Sequence, residues 1–154
     1  MRKTWREKLL DSKDLPKVVR LKENAQKPWK GSTMAIPSPL EVNDIMAGVP
    51  KGKVITIGEI RQIVARKHNA DIGCPLTCGI FSWIAAHAAV EEASSNKEEM
   101  TPYWRTLKTG GALNPKYPGG IEEQKRLLES EGHNVTQKGR KYVVENYENH
   151  LLTC

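Results

Sequence analysis

The chain has 154 residues, 38% of them hydrophobic and 27% charged, a composition typical of one ordinary globular domain. No apolar segment follows the basic residues 1–10, and the chain has no apolar run of about 18 residues, so we expect neither a signal peptide nor a membrane span. Its three cysteines do not form an even-numbered disulfide framework, so we expect a reducing, cytoplasmic compartment.

The net charge of +6 is concentrated in residues 1–30, which hold ten Lys/Arg and four Asp/Glu. A basic arm of this kind suits the phosphate backbone of a nucleic acid, although a solvated extension could have the same composition. Within the arm, residues 4–10 predict a short helix and residues 15–21 a short strand. Residues 22–37 lack apolar periodicity and resemble a linker.

Three helices are predicted in the middle of the chain. Ser38 and Glu41 have the spacing of a capping box, and Thr56 and Glu59 repeat it. Apolar residues continue from both caps with helical periodicity, and a third segment of the same kind follows a turn. The predicted helices span residues 39–48, 57–67 and 76–92.

Glycines predict the elements of the last third. Gly110–Gly111 predict the turn of a hairpin that carries the aromatic-rich run 103–105. A fourth helix is expected to begin at Gly120, with Gly132 as its C-terminal cap. A second hairpin is expected to turn at residues 138–140.

Two consecutive helices followed by a hairpin are typical of a winged helix-turn-helix, whose second helix enters a DNA groove. That recognition helix is the segment 76–92. Its face away from the core is small and uncharged, and consists of Thr77, Cys78, Ser82 and His87. The preceding helix and its lead-in are more basic, with Lys51, Lys53, Arg61, Arg66 and Lys67.

Three segments, in this order, resemble a known family: VPKGKVITIGEI at 49–60, PYWR at 102–105 and KYPGGIEEQKRLLESEGH at 116–133. They resemble the DNA-binding and active-site domain of the alkylguanine-DNA alkyltransferases. That family has Val/Ile-Pro-x-Gly-x-Val-x-Thr-Tyr-Gly-x-Ile, then Pro-Cys-His-Arg, then Gly-Tyr-x-Gly-Gly with Leu-Leu-x-x-Glu-Gly. The resemblance implies an α/β winged helix-turn-helix domain, mostly helical with short hairpins. The domain limits that it implies are a basic N-terminal extension (1–37), the winged-helix domain (38–133), and a C-terminal hairpin and tail (134–154).

The residues that carry the family's chemistry are replaced at the matched positions. The family transfers an alkyl group from guanine to a cysteine, which a histidine and a glutamate activate. The alignment places Tyr103 at the cysteine, Trp104 at the histidine and Lys125 at the glutamate. A phenol, with a reference pKa of about 10, is a poor substitute for an activated thiolate. The resemblance therefore implies a protein that is not an enzyme, similar to the alkyltransferase-like subgroup, which binds alkylated DNA without repairing it and flags the lesion for repair factors.

Two further departures concern base flipping. The tyrosine of the family's Thr-Tyr-Gly is Ile57 here, and its intercalating arginine aligns near Pro75. Proline can wedge between bases but has no guanidinium to replace an extruded base. The resemblance thus implies DNA binding with incomplete base-flipping residues.

The DNA-binding hypothesis assigns roles to two sets of residues. The residues expected to contact DNA are Lys51, Lys53, Thr56, Arg61, Thr77, Cys78 and Ser82. The residues expected to form a base pocket are Tyr103, Trp104, Arg105 and Tyr117, because an aromatic ring can stack on an extruded base. Within that pocket, Tyr103 is expected to face the base and Trp104 to pack inward. The expected partners are DNA and a repair protein, and no cofactor is implied.

A second hypothesis is a winged-helix scaffold that binds another protein or a small ligand and has no role on DNA. The nearly uncharged face of helix 76–92 favours it. A zinc site from Cys74, Cys78, His68 and His87 is a weaker hypothesis, because their spacing matches no standard signature and buried cysteines commonly act as small hydrophobic residues. We therefore expect no metal site.

Overall fold

The structure is a computed structural model that describes residues 4–20, 33–93 and 100–152. The described helices are α1 Trp5–Leu10, α2 Pro39–Ala47, α3 Ile57–Lys67, α4 Pro75–Ala93 and α5 Gly120–Ser130. The described strands are β1 Lys17–Arg20, β2 Thr33–Ile36, β3 Ile55–Thr56, β4 Ile72–Gly73, β5 Thr106–Leu107, β6 Val135–Lys138 and β7 Lys141–Val144. Single 3₁₀ turns span Tyr103–Arg105 and Tyr147–His150. Every predicted helix is present, and the mixed α/β class is confirmed.

The N-terminal caps predicted for the central helices are formed. The Thr56 hydroxyl accepts the backbone N–H of Glu59, and the Glu59 carboxylate accepts the backbone N–H of Thr56 at 2.9 Å. At α2, the Ser38 hydroxyl accepts the N–H of Glu41 at 3.2 Å. These bonds satisfy amide groups that the first helical turn leaves without a partner, which explains why both helices begin where the sequence predicts.

The predicted linker 22–37 is wrong at its C-terminal end, where β2 forms. It pairs antiparallel with β1 and parallel with β4, and thus lies at the centre of a three-stranded sheet. Residues 22–32 of that predicted linker lie outside the described ranges. Four residues are too few for a periodicity signal, and the strand is stabilised by its two neighbours rather than by its own sequence.

The main core lies between α4 and the helices packed around it. Val42 and Met46 of α2 and Ile60 and Val64 of α3 are fully buried there. At Gly73 the backbone of β4 lies so close to α3 that a Cβ atom would overlap the Arg61 carbonyl. Glycine at this position therefore permits the close contact between α3 and β4, the strand that leads into α4.

The described part of the predicted N-terminal extension packs on the same core. Leu9 is buried in the core cluster, and the Trp5 ring stacks on His87 of α4 with 4.4 Å between ring centroids. The backbone N–H groups of Trp5 and Arg6 donate to the Glu91 carboxylate at 3.2 and 3.1 Å. Helix α1 is thus a docked element rather than a solvated arm.

The predicted hairpin position of the run 103–105 is wrong. These residues form a 3₁₀ turn after Pro102, and only then does the chain enter β5, which pairs parallel with β3. The Gly110–Gly111 turn does exist, closed by a bridge between Lys108 and Ala112. Because a 3₁₀ turn does not alternate faces as a strand does, Tyr103 and Trp104 need not point to opposite sides.

The C-terminal elements form a second, smaller core. As predicted, the helix α5 begins at Gly120, Gly132 follows its end with a positive φ of 94°, and β6 and β7 form a hairpin. The hairpin and tail join the body through bridges from Val143 to Ala112 and from Leu151 to Val54. Within the described ranges, no helix has the length and apolar content that a membrane crossing requires.

Candidate nucleic-acid interface

A cleft of about 400 Å³ opens at the N-terminal end of α4, where a recognition helix would meet DNA. Three side chains of α4, Leu76, Ile80 and Trp83, line it together with Ile57, the first residue of α3. Leu76 is 69% exposed, which is unusual for a large apolar side chain. The cleft is therefore an accessible apolar surface at the start of the predicted recognition helix.

Helical spacing explains why these side chains converge. Residues 76, 80 and 83 are four and then three positions apart, so their side chains lie along one stripe of α4. Gly79 lies beside the same stripe, and a Cβ added to it would meet no atom within 4 Å. The missing side chain leaves the cleft open above Ile80.

The opposite wall of the cleft is the loop 108–116, which carries two exposed lysines, Lys108 and Lys116. The amine Nζ of Lys116 lies 5.9 Å from the centroid of the Trp83 ring. The cleft thus combines an aromatic and aliphatic floor with a basic rim. That combination suits a flat apolar ring next to negative charge.

Buried hydrogen bonds hold this loop in place. The side chain of Gln124, fully buried on α5, accepts the backbone N–H of Asn114 at 2.8 Å. Its amide donates to the carbonyls of Trp104 and Thr106 at 3.2 and 3.3 Å. Gln124 therefore connects the loop to the 3₁₀ turn, a role that the sequence did not indicate because a glutamine in an amphipathic helix carries no special signal.

The predicted DNA-contacting residues separate into two groups. Lys51 and Lys53 are exposed in the segment between α2 and β3, and Arg61 is half-buried with its Nε donating to the Gly73 carbonyl at 3.0 Å. Thr77 is half-buried at the start of α4. The three basic residues remain compatible with a surface contact, whereas the hydroxyl of Thr77 is buried.

The other three are buried, which is incompatible with the expected groove contacts. Cys78 and Ser82 have 0% exposure, and the Ser82 hydroxyl donates to the Gly79 carbonyl at 2.6 Å. Thr56 is 4% exposed, and its hydroxyl is engaged in the α3 cap. The reason is the orientation of α4, which turns residues 78, 82 and 85 to the core while 76, 80 and 83 line the cleft.

The predicted base pocket is largely a packed aromatic cluster. Tyr103 and Tyr117 are each 2% exposed, and their rings meet edge to face with 5.5 Å between centroids. Trp104 packs edge to face on Tyr103, with 5.4 Å between ring centroids. It also contacts both the main core and the second, smaller core, as its expected inward orientation requires. With 2% exposure each, Tyr103 and Tyr117 leave no free face on which a base could stack, and Trp104 is half-buried.

Tyr103 does line a second cleft, of about 640 Å³, but that cleft lies beside Val90 near the other end of α4. Its wall includes two carboxylates, Glu122 and Glu123, together with Arg126. Burial, with a smaller contribution from Glu123, raises the pKa of the Tyr103 hydroxyl to about 12, so the phenol stays neutral. An acidic wall disfavours a phosphate backbone, and the cleft at Leu76 is the better DNA candidate.

Arg105 points away from both clefts and forms a buried ion pair with Glu131, the C-terminal cap of α5. A glutamate therefore lies beside the 3₁₀ turn, but it is Glu131 and not the residue at position 125. Lys125 is half-buried on α5. The signal for this was present in the sequence, since Glu131 is the glutamate of the Leu-Leu-x-x-Glu-Gly pattern.

The described cysteines, both buried, are poorly placed to act as nucleophiles. Cys74 and Cys78 are free and buried, and burial, followed by the nearby Cys74, raises the pKa of the Cys78 thiol to about 12. Within the described ranges, no group of three or more His, Cys, Asp and Glu side chains is placed to hold a metal ion.

No protein-family model and no curated protein matches the chain. Two solved structures match with 22% identity, covering 75% of this chain and 94% of theirs. One is the S. pombe protein Atl1 in complex with damaged DNA containing O6-carboxymethylguanine, with a TM-score of 0.52. The other is the S. pombe alkyltransferase-like protein in complex with DNA, with a TM-score of 0.53. The chain therefore has the α/β helix-turn-helix fold of the S. pombe alkyltransferase-like protein, as the sequence resemblance predicted.

Proposed function

We propose that this chain is a non-catalytic DNA-binding protein that recognises DNA containing an alkylated base. The fold that it shares with S. pombe Atl1, a protein solved on damaged DNA, supports this proposal. The observation that carries it is the cleft at the N-terminal end of α4, with its apolar floor and its two lysines.

The cleft has the chemistry that an extruded base would need. Trp83 offers part of a ring surface, and stacking of a base on an aromatic side chain is worth about 1–3 kcal/mol. Lys108 and Lys116 would contact the phosphates on either side of that base, and Lys51 and Lys53 would extend the contact along the backbone. Because an alkyl group adds apolar surface to guanine, an apolar floor favours the modified base over the normal one.

Leu76 is the side chain best placed to enter the base stack. It follows Pro75, where the resemblance aligns an intercalating arginine, and it is the most exposed of the large apolar residues in the described ranges. Apolar side chains such as leucine wedge between base steps in several DNA-binding proteins. In this proposal Leu76 unstacks the base pair and Trp83 receives the base.

The absence of alkyl transfer is part of the same proposal. Among the described residues, no cysteine lines the cleft, and the residue aligned with the acceptor cysteine is Tyr103, a buried neutral phenol. Transfer of an alkyl group requires an ionised nucleophile within reach of the alkyl carbon. The protein would therefore hold the lesion and leave it intact.

A salt titration on two duplexes tests the proposal. Binding should be measured with one duplex carrying an O6-alkylguanine and an otherwise identical duplex carrying guanine. We expect both affinities to fall with salt concentration and the modified duplex to bind more tightly at every concentration. Equal affinities for the two duplexes would contradict recognition of the alkylated base. No measurable binding at low salt would contradict any DNA-binding function.

A second candidate is a scaffold that binds a protein or a small ligand. The exposure of Leu76 beside an apolar cleft favours it, since such surfaces also serve protein partners. The same titration distinguishes the two, because a scaffold without a role on DNA should bind neither duplex, even at low salt.

A further inference from the structure

Helix α1 contacts the part of α4 that borders the cleft. The Trp5 ring stacks on His87 with 4.4 Å between centroids and an angle of 19°, and it meets the edge of Trp83 at 6.0 Å. Trp83 is itself a lining residue of the cleft. The N-terminal helix is thus one side chain away from the floor of the proposed DNA site.

His87 continues this contact to the cleft wall. Its Nε2 lies 2.8 Å from the backbone carbonyl of Lys116, and because a carbonyl can only accept, the ring must donate from Nε2. Lys116 also donates its backbone N–H to the Asn114 side chain at 2.9 Å, and its amine lies over Trp83. One imidazole therefore joins α1 on one side to the end of the loop 108–116 on the other.

We propose that Trp5 and His87 are positioning residues, which make DNA binding in the cleft depend on the docking of α1. Stacking by Trp5 restricts the rotation of the half-exposed His87 ring and keeps Nε2 aimed at the Lys116 carbonyl. That bond holds Lys116 at the rim, where its amine faces the phosphate. This inference rests on the proposed DNA function and adds to it a role for the N-terminal segment other than charge.

The physical reason is the position of Lys116 at the exposed end of the loop. The backbone N–H of Lys116 donates to the Asn114 side chain and its carbonyl accepts from His87, so loss of the His87 ring leaves that carbonyl without this partner. A loop that must be ordered on binding loses affinity to the entropy of ordering, whereas a preordered loop does not. Docked α1 supplies part of that order before DNA arrives.

Two readouts test the link. The first is amide hydrogen exchange in the free protein at Lys116 and Tyr117, whose N–H groups donate to Asn114. We expect Trp5→Ala and His87→Ala to increase exchange there and to leave Leu113, which donates to the Tyr142 carbonyl, unchanged. Leu10→Ala, an exposed site on the same helix, is the matched control and should change neither.

The second readout is DNA affinity across a salt series. His87→Ala should weaken binding about three- to tenfold, the range that one net hydrogen bond supplies, with an unchanged salt slope because no phosphate contact is removed. His87→Gln, whose amide can also donate to the carbonyl, should recover part of the loss. Adding Trp5→Ala to His87→Ala should cause no further loss, since the two residues act through one contact.

Three outcomes would overturn the inference. They are unchanged exchange at residues 116 and 117 in both variants, fully additive losses in the double variant, and a loss of affinity accompanied by a smaller salt slope. The last would mean that the variants remove a phosphate contact, as Lys116→Ala would, rather than the order of the loop before binding. If the unaltered protein binds no DNA, the proposed function itself is wrong. The exchange experiment does not use DNA, so it shows separately whether Trp5 and His87 order the end of the loop.

Discussion

The Arg105 guanidinium donates to both carboxylate oxygens of Glu131, with Nε 3.0 Å from Oε1 and Nη2 2.6 Å from Oε2. Its remaining nitrogen, Nη1, donates to the Val49 carbonyl at 2.7 Å. The forked pair thus connects the 3₁₀ turn to the end of α5 and to the loop after α2. A carboxylate occupied in this way orients an arginine and is not available to activate a nucleophile.

The first prediction concerns that pair. The side chains of Arg105 and Glu131 are only 14% and 7% exposed, so Arg105→Ala leaves a buried carboxylate without its partner. We expect the free energy of unfolding to fall by about 3–5 kcal/mol in urea denaturation at neutral pH. The exposed pair Arg126 and Glu123 is the control, and Arg126→Ala should have little effect. Equal effects at both sites would contradict the structural role of Arg105.

The second prediction is a dependence of stability on pH. Burial, together with the nearby His150, lowers the pKa of His133 below its ordinary value of 6.5. The unfolded chain therefore binds more protons than the folded one just below pH 6.5, and stability falls as the pH decreases through that range. His133→Phe keeps an aromatic ring against His150 and removes the titrating group. The Tm of the variant should decrease less between pH 7 and pH 5 than that of the unaltered protein. Equal decreases in Tm for the two proteins would show that His133 does not contribute.

The carboxyl of Glu131 acts at lower pH. Its burial would raise the pKa, but the hydrogen bonds and charge of Arg105 outweigh that effect, and the pKa lies below 4.5. This stabilisation is fully present at neutral pH and is lost as the pH falls below about 4.5 toward the folded pKa. The two effects therefore begin at different pH values, at about 6.5 for His133 and about 4.5 for Glu131, because each begins at the ordinary pKa of the group in the unfolded chain.

The third prediction concerns Tyr103 as a core residue. Its truncation to alanine should lower the free energy of unfolding by about 3–5 kcal/mol, because a ring with 2% exposure leaves a cavity. Tyr103→Phe should be nearly neutral, since the hydroxyl makes only a long hydrogen bond of 3.5 Å to the Pro118 carbonyl. If Tyr103→Phe instead abolished lesion binding without loss of stability, the phenol would belong to the base site after all.

The fourth prediction is that the protein accepts no alkyl group. Burial holds the Cys78 thiol in its neutral form, and Cys74 is buried beside it. After incubation with an excess of DNA carrying O6-alkylguanine, the intact mass of the chain should be unchanged. A stoichiometric mass increase that peptide mapping places on Cys74 or Cys78 would show that a buried thiol becomes reactive on DNA.

The fifth prediction separates the two surfaces of the cleft. Lys116→Ala should weaken binding to all duplexes and reduce the salt slope by about 1, as expected for one lost phosphate contact. Leu76→Ala should weaken binding to the alkylated duplex with the slope unchanged. Arg126→Ala is the matched charge control, because it removes one positive charge at the cleft beside Val90, about 20 Å along α4 from Leu76. A slope change in Arg126→Ala as large as that in Lys116→Ala would mean that net charge, not position, governs binding.

The sequence by itself determined the features that depend on neighbours along the chain. Thr56 and Glu59 are three residues apart and cap α3 whatever packs beside it, and Gly132 follows α5 with the positive φ that glycine adopts most easily. The ordered motifs at 49–60, 102–105 and 116–133 predicted the fold that the comparison with S. pombe Atl1 confirms. Local hydrogen bonds and short motifs can be predicted from the sequence because their partners are a fixed number of residues away.

Only the tertiary structure decided which side of each element faces solvent. The apolar residues of α4 surround the helix almost completely, so its sequence did not reveal that Cys78 and Ser82 are buried while Leu76 is exposed. Tyr103 and Tyr117 are 14 residues apart in sequence and cover each other only because Gln124 and the turn at 103–105 bring the loop back onto α5. The stack of Trp5 on His87 spans 82 positions, and no periodicity connects residues so far apart. Burial is a property of the assembled surfaces, which is why the candidate base site lies at Trp83 and Leu76 rather than at the aromatic run that the sequence singled out.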